Sequence, residues 1–266
     1  MPNFAANITM MFSEVEFLDR FKLASQVGFE GVEYLVPYAF EAEAIADQLH
    51  KYKLKQVLFD LPVGDWDGGE RGYACHPDRV DEFQEGIGLA IKYAKVTGCS
   101  QLCCLAGKTP PNVNGEKVRS TLISNLSYAA ASLKSEGIRL LLEPINSKVD
   151  IPGFYLETSS QALDIIRDVA SDNLFLQYDV YHMQIMEGDL ARTLERCLSQ
   201  IKHVQIADHP GRHEPGTGEI NYGFLFDHLD RIGYNDWIGC EYRPIEGTLP
   251  GLKWAAPYLK NSSWSW

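Results

Sequence analysis

Four short apolar runs in this chain each end in an oxygen-bearing side chain. Leu140-Leu141-Leu142 leads into Glu143, Leu174-Phe175-Leu176-Gln177-Tyr178 into Asp179, Ile201-Lys202-His203-Val204 into Gln205, and Trp237-Ile238-Gly239-Cys240 into Glu241. The steps between those end residues are 36, 26 and 36 residues, and each interval holds one helical pattern. A three-leucine run suits a strand covered on both faces, as in a parallel sheet. A lone carboxylate at the end of such a strand is very costly unless it is paired, neutralised or bound to a metal. One oxygen donor per βα unit, on consecutive strands, would bring all four to one face of a parallel barrel.

The first half of the chain keeps the same rhythm. Phe4 to Thr9 reads as a strand, and Ser13 followed by Glu16 is a capping-box pattern that opens a helix through about Val27. Strands at 31–35 and 54–59 flank a helix at 41–51, and a long amphipathic helix at 79–97 leads to a fourth strand at 101–106. Helices at 116–136, 158–170, 190–198 and 222–232 separate the later strands. Eight strands with helices between them make a (β/α)8 TIM barrel the economical solution, because parallel strands need crossovers and this number can close. The expected organisation is one domain over 1–266, with about 248–266 as a C-terminal extension. That tail holds Trp254, Trp264 and Trp266. It reads as a last partial helix with a frayed end, or as a homo-oligomer contact made by exposed aromatics.

Between Val63 and Pro77 the rhythm breaks into a loop containing Gly64, Gly68, Gly69 and Gly72. The loop lacks the spacings of the glycine-rich phosphate cradles. A mobile cover over the barrel mouth is the expectation, since barrel function sits on βα loops.

Composition narrows the partners. The net charge of −12, with no basic block, argues against nucleic acid, which needs clustered Lys and Arg. An anionic substrate would need local positive charge to offset the acidic surface. The N-terminal residues lack the basic segment and apolar core of a signal peptide, and no apolar run approaches about 18 residues, so no membrane partner and a cytoplasmic location are expected. The six cysteines form no CxxC pair and read as reduced, buried thiols.

Glu143, Asp179, Gln205 and Glu241 would supply three carboxylates and one amide oxygen to a shared centre. Hard oxygen donors suit Mg²⁺ or Mn²⁺ rather than a thiolate-type zinc site. Taken singly, each of the four is equally accounted for by a solvated strand end or an ion pair; the set of four on consecutive strands favours a centre. Arg212, after the seventh strand, is a candidate to grip a substrate carboxylate through its two-pronged donors, or else a surface ion-pair partner. His182 and Lys108 are further substrate-binding candidates, the imidazole just past a strand end and the ammonium after the fourth strand. Glu33 and His209 read as structural or rim residues.

Several motifs, in order, carry a resemblance. They are Phe4-Ala5-Ala6-Asn7 with Met10-Met11-Phe12, Leu142-Glu143-Pro144, Gln177-Tyr178-Asp179 with His182, and His203-Val204-Gln205-Ile206-Ala207. Arg212-His213-Glu214-Pro215, Gly218-Glu219-Ile220-Asn221-Tyr222 and Trp237-Ile238-Gly239-Cys240-Glu241-Tyr242 complete the set. Over nearly its whole length the chain resembles the hydroxypyruvate isomerase family, within the xylose-isomerase-like barrels. The resemblance implies an aldose–ketose type isomerisation of a small hydroxy-oxo acid. It implies that Glu143 and Glu241 are both metal ligands and proton-transfer groups, that Asp179 and Gln205 complete the metal site, and that His182 touches substrate. Related ketose 3-epimerases usually carry histidine where this chain has Gln205, which favours the isomerase branch. Hydroxypyruvate and tartronate semialdehyde are the first expected pair, and 2-oxotetronate with its 3-oxo isomer is the alternative. A ketose 3-epimerase and a non-catalytic metal-binding protein are the other classes considered.

Overall fold

The computed structural model describes residues 2–260. Eight parallel strands pair in chain order and close on themselves: β1 (Asn3–Asn7), β2 (Gly31–Glu33), β3 (Lys55–Asp60), β4 (Gln101–Cys104), β5 (Arg139–Leu142), β6 (Leu174–Asp179), β7 (Ile201–Ile206) and β8 (Trp237–Cys240). The helices are α1 (Phe17–Gln26), α2 (Ala42–Tyr52), α3 (Val80–Thr97), α4 (Gly115–Ser135), α5 (Ser159–Val169), α6 (Val180–Met186), α7 (Leu190–Cys197) and α8 (Tyr222–Ile232). A 3₁₀ turn at Pro250–Ala255 follows β8. The expected (β/α)8 barrel is therefore present, with all eight expected strands. Leu140, Leu141 and Leu142 are fully buried, and truncating any one to alanine would cost about 2–5 kcal/mol.

Two local expectations fail for physical reasons. α1 begins at Phe17 and not near Ser13, and its N-cap Glu16 makes no side-chain cap hydrogen bond. Residues 8–16 instead form a loop held by other partners. Arg20 donates through Nη1 to the Ile8 carbonyl at 2.8 Å and through Nε to the Val15 carbonyl at 3.0 Å, while Glu14 accepts from the Thr248 amide at 2.7 Å. A capping box does form, but at Thr158 and Gln161, where it opens α5. The second failure is α6, which no periodic pattern announced. Asp179 accepts from the amides of Tyr181 at 2.7 Å and His182 at 3.3 Å, so the strand-end carboxylate caps a short helix directly and no connecting loop is needed.

The upper interior of the barrel is polar. Glu33 on β2 accepts from Asn7 on β1 at 3.1 Å, from Gln205 on β7 at 2.9 Å and meets His203 Nε2 at 2.6 Å. Room for this carboxylate comes from Gly239 on β8, where a Cβ would sit 2.2 Å from Glu33 Oε2. After β8, Trp254 packs edge-on to Phe4 at 5.1 Å and donates to the Tyr242 hydroxyl at 3.2 Å. Trp264 and Trp266 lie outside the described residues. All six cysteines are free and buried, as expected. Among the described residues, no helix is long and apolar enough to cross a membrane.

Candidate active site

A cavity of about 490 Å³ opens at the C-terminal ends of the strands. Glu143 from the end of β5 and Glu241 from the end of β8 both line it, with Asp60 from β3, His182 from α6 and Arg212 from the loop after β7. Asp179 and Gln205 lie fully buried behind that wall. The ladder between β6 and β7 places them side by side, since Asp179 and Gln205 are register partners.

The carboxylates differ in how they are held. Glu143 is 5% exposed, and its Oε2 has the Cys103 thiol as a weak donor at 3.7 Å. Glu241 accepts from Asn7 at 3.2 Å and is bonded by Gln205 and by Arg212. The second oxygen of Asp179, Oδ2, is buried without a hydrogen-bond partner; Arg212 Nη2 and His182 Nε2 stand off at 3.8 and 3.6 Å. Arg212 also reaches Asp150 at 3.4 Å. Its backbone sits at φ 58°, a left-handed conformation costing about 1–3 kcal/mol for a residue with a Cβ.

Crowding and burial set the protonation states. Burial, then Glu241 and Asp179, pushes the Glu143 carboxyl well above the ordinary carboxylate range. Burial lifts Glu241 to about 8 against the opposing pull of Arg212, and lifts Asp179 to about 6 against the same guanidinium. Burial, then Glu241 and Glu33, raises Asp60 well above the ordinary range. For His182, burial and then Arg212 favour the neutral ring. Its Nδ1 lies 2.6 Å from the Asn146 amide nitrogen, which can only donate, so the ring proton belongs on Nε2, the nitrogen facing Asp179.

This donor set fits a divalent cation. Carboxylate oxygens of Glu143 and Asp179 lie within 4.8 Å of each other with the His182 ring beside them, and the orphaned Asp179 Oδ2 is a buried acceptor in need of a positive partner. Of the four expected ligands, Gln205 has its single side-chain oxygen engaged, accepting from Gln177 Nε2 at 2.7 Å, and both oxygens of Glu241 are bonded as well. The cavity wall takes in Arg212 and His182. Lys108 does not line it; its carbonyl accepts from His76 Nε2 at 2.9 Å and its backbone bridges Phe154.

Five residues of the site escaped the sequence reading. Asp60 carried the same signal as the others, an apolar run ending in a carboxylate, at the end of Leu58-Phe59. Asn7 closes the first strand in the same way. Asp150, Asn146 and Arg71 sit on loops, where no period marks a residue. Asn146 bonds both Asp150, at 2.6 Å, and His182, so it is the hinge pin of that side of the wall.

A closed parallel barrel whose C-terminal face gathers proton-holding carboxyls around a small cavity defines a class: a barrel enzyme doing proton-transfer chemistry on a small polar molecule. A family model described as xylose isomerase-like TIM barrel matches residues 21–260. The chain is 50% identical to hydroxypyruvate isomerase of Escherichia coli (strain K12), covering 97% of this chain and 100% of that one. It is 45% identical to 2-oxo-tetronate isomerase of Cupriavidus necator, covering 97% and 99%. A solved structure titled AP endonuclease, family 2, from Brucella melitensis superposes with TM-score 0.95 at 44% identity, covering 98% of this chain and 100% of that one. The chain belongs to the xylose isomerase-like TIM barrel family, in the group that contains the hydroxypyruvate and 2-oxo-tetronate isomerases, and it is an isomerase.

Proposed function

We propose that this isomerase moves a carbonyl along a small hydroxy-oxo acid, converting hydroxypyruvate to 2-hydroxy-3-oxopropanoate (tartronate semialdehyde). The observation that carries the reading is the pair Glu143 and Glu241, two buried carboxyls held above the ordinary carboxylate range that face one cavity of about 490 Å³. One in its ionised form removes a proton from the hydroxymethyl carbon, leaving an enediolate, and the hydroxyl proton of that carbon passes to the former carbonyl oxygen. The other, protonated, delivers a proton to the neighbouring carbon, so each substrate carbon meets its own glutamate. Which of the two acts first depends on direction, and the assignment is joint. Each contributes about 10²–10⁴-fold in rate. His182 presents Nε2–H to a substrate oxygen, and Arg212 keeps Glu241 in place. A divalent cation, Mg²⁺ or Mn²⁺, held by Glu143, Asp179, Gln205 and Glu241 with His182 beside it, would supply Lewis-acid stabilisation of negative charge on the substrate oxygens.

The four-carbon homologue, 2-oxotetronate to its 3-oxo isomer, is supported by the 45% identity to an isomerase of that name. The endonuclease title belongs to the Brucella structure. A net charge of −12 and a cavity of this size suit a small acid better than a nucleic-acid duplex. The six free thiols agree with a reducing, cytoplasmic setting.

Proton NMR in D₂O, with metal-stripped protein given each acid with and without Mg²⁺ or Mn²⁺, tests the reading. Isomerisation of one acid with metal-dependent deuterium entry at its carbon is expected. Exchange on neutral ketoses with none on either acid would replace the reading by a ketose 3-epimerase.

A further inference from the structure

Three arginines line the cavity, and they differ in how far their charge is already answered. Arg212 is surrounded by Glu241, Asp179 and Asp150. Arg243 sits exposed at the rim, where solvent screens it. Arg71, on the loop after β3, forms no ion pair among the described residues. The acid beside it in sequence, Glu70, is turned away: one of its oxygens is bonded by Arg79 and the other accepts from the Asp65 amide at 2.6 Å. The Arg71 guanidinium lies 3.8 Å over the Trp66 ring, and only Nη1 is occupied, donating to the carbonyls of Trp66 at 2.8 Å and of Glu70. Nε and Nη2, the edge that grips a carboxylate with two parallel bonds, have no hydrogen-bond partner among the described residues.

The base of this side chain is fixed. Gly72 adopts φ +88°, and a Cβ there would sit 2.4 Å from the Leu105 carbonyl, so the loop presses its backbone against the segment following β4. Its amide donates to the Val63 carbonyl at 2.9 Å. Loops after β3 and after β7 stand on opposite sides of an eight-strand ring, which puts Arg71 across the mouth from Arg212.

We propose that Arg71 reads the substrate carboxylate and sets the preference of this site for an oxo acid over a neutral ketose of the same length. The proposal rests on the oxo-acid reading above. Arg212, its charge shared among three acids, then serves the reacting end of the substrate.

Hydroxypyruvate and dihydroxyacetone test it, because they differ only in a carboxylate against a hydroxymethyl group. Metal-dependent deuterium exchange on both is measured for the wild type, Arg71→Met and Arg71→Lys. In Arg71→Met the KM for hydroxypyruvate should rise about 10- to 100-fold with kcat within a few-fold, as for loss of a hydrogen bond to a charged group. The acid-to-neutral preference should collapse, and lysine should restore part of it. Calorimetric binding of lactate to the Mg²⁺-loaded protein should weaken by the same factor, and it decides the matter where dihydroxyacetone exchanges too slowly to measure. Equal losses on acid and neutral compound, or unchanged lactate binding, would overturn the proposal. If the wild type turns over neither oxo acid, the underlying reading fails first and visibly, and this assignment goes with it.

Discussion

Glu33 and Glu143 are both buried strand-end glutamates, and they live in opposite circumstances. Glu33, on β2, has every oxygen answered by Asn7, Gln205 and His203. Glu143, just past β5, has a thiol at 3.7 Å as its donor, and its neighbour Asp179 leaves one oxygen orphaned. A buried charge that the fold satisfies is architecture, whereas one that the fold leaves wanting is addressed to something that arrives from outside. Glu33 at the rear and the Glu143–Asp179 pair at the mouth are thus the same kind of residue, told apart by saturation.

The sharpest way to break this contrast is Glu143→Gln. Turnover should fall by about 10²–10⁴-fold, while the thermal midpoint of the metal-free protein should hold or rise because the amide cannot ionise beside Glu241 and Asp179. A fall in midpoint with activity retained would put Glu143 on the architectural side. Glu33→Ala should instead lower stability by about 3–5 kcal/mol in denaturant unfolding by stranding buried partners, as breaking a buried ion pair does. Next in size is Asn146→Leu, which frees His182 Nδ1; kcat/KM should drop roughly 10-fold, the effect of losing one hydrogen bond on an orienting contact. Lactate binding that weakens in step would assign Asn146 to affinity rather than orientation.

The smallest effect is one of pH. Glu241 titrates near 8 in the folded chain, above its ordinary value of 4.5, so the folded state holds a proton that the unfolded state releases. Its stabilising contribution is complete below 4.5 and is lost as pH rises through about 8. Metal-stripped protein should therefore melt lower at pH 9 than at pH 6, and added Mn²⁺ should raise the midpoint more at the higher pH. Equal midpoints at both pH values would mean that Glu241 is already ionised without metal. Asp60→Asn, which removes a third crowded acid, should flatten the pH dependence.

Legibility in the sequence followed periodicity. The barrel could be read because each strand is a dense apolar run and a helical pattern fills each of the seven intervals between strands. Glu143, Asp179, Gln205 and Glu241 could be read because they interrupt those runs at the same point. Asp60 ends β3 in the same way, and its signal is as strong as theirs. Asn146, Asp150 and Arg71 carry no such mark: their positions depend on loop paths fixed by contacts between distant segments, such as Gly72 against Leu105. The capping boxes show the limit of local patterns. Ser13 with Glu16 and Thr158 with Gln161 look alike on paper, and only the second forms, because Arg20 and Thr248 claim the backbone and side chains around the first.

The glycine at 239 ties two distant parts of the chain into one heritable character. Its missing side chain is the space in which the Glu33 carboxylate stands, 2.2 Å from where a Cβ would be. A lineage that placed alanine at 239 would have to surrender Glu33, and with it the anchor that fixes His203 and the amide of Gln205. Residues separated by most of the gene should then vary together or not at all, and a recombinant joining the first half of one such barrel to the second half of another inherits a working centre only when both members of the pair come along.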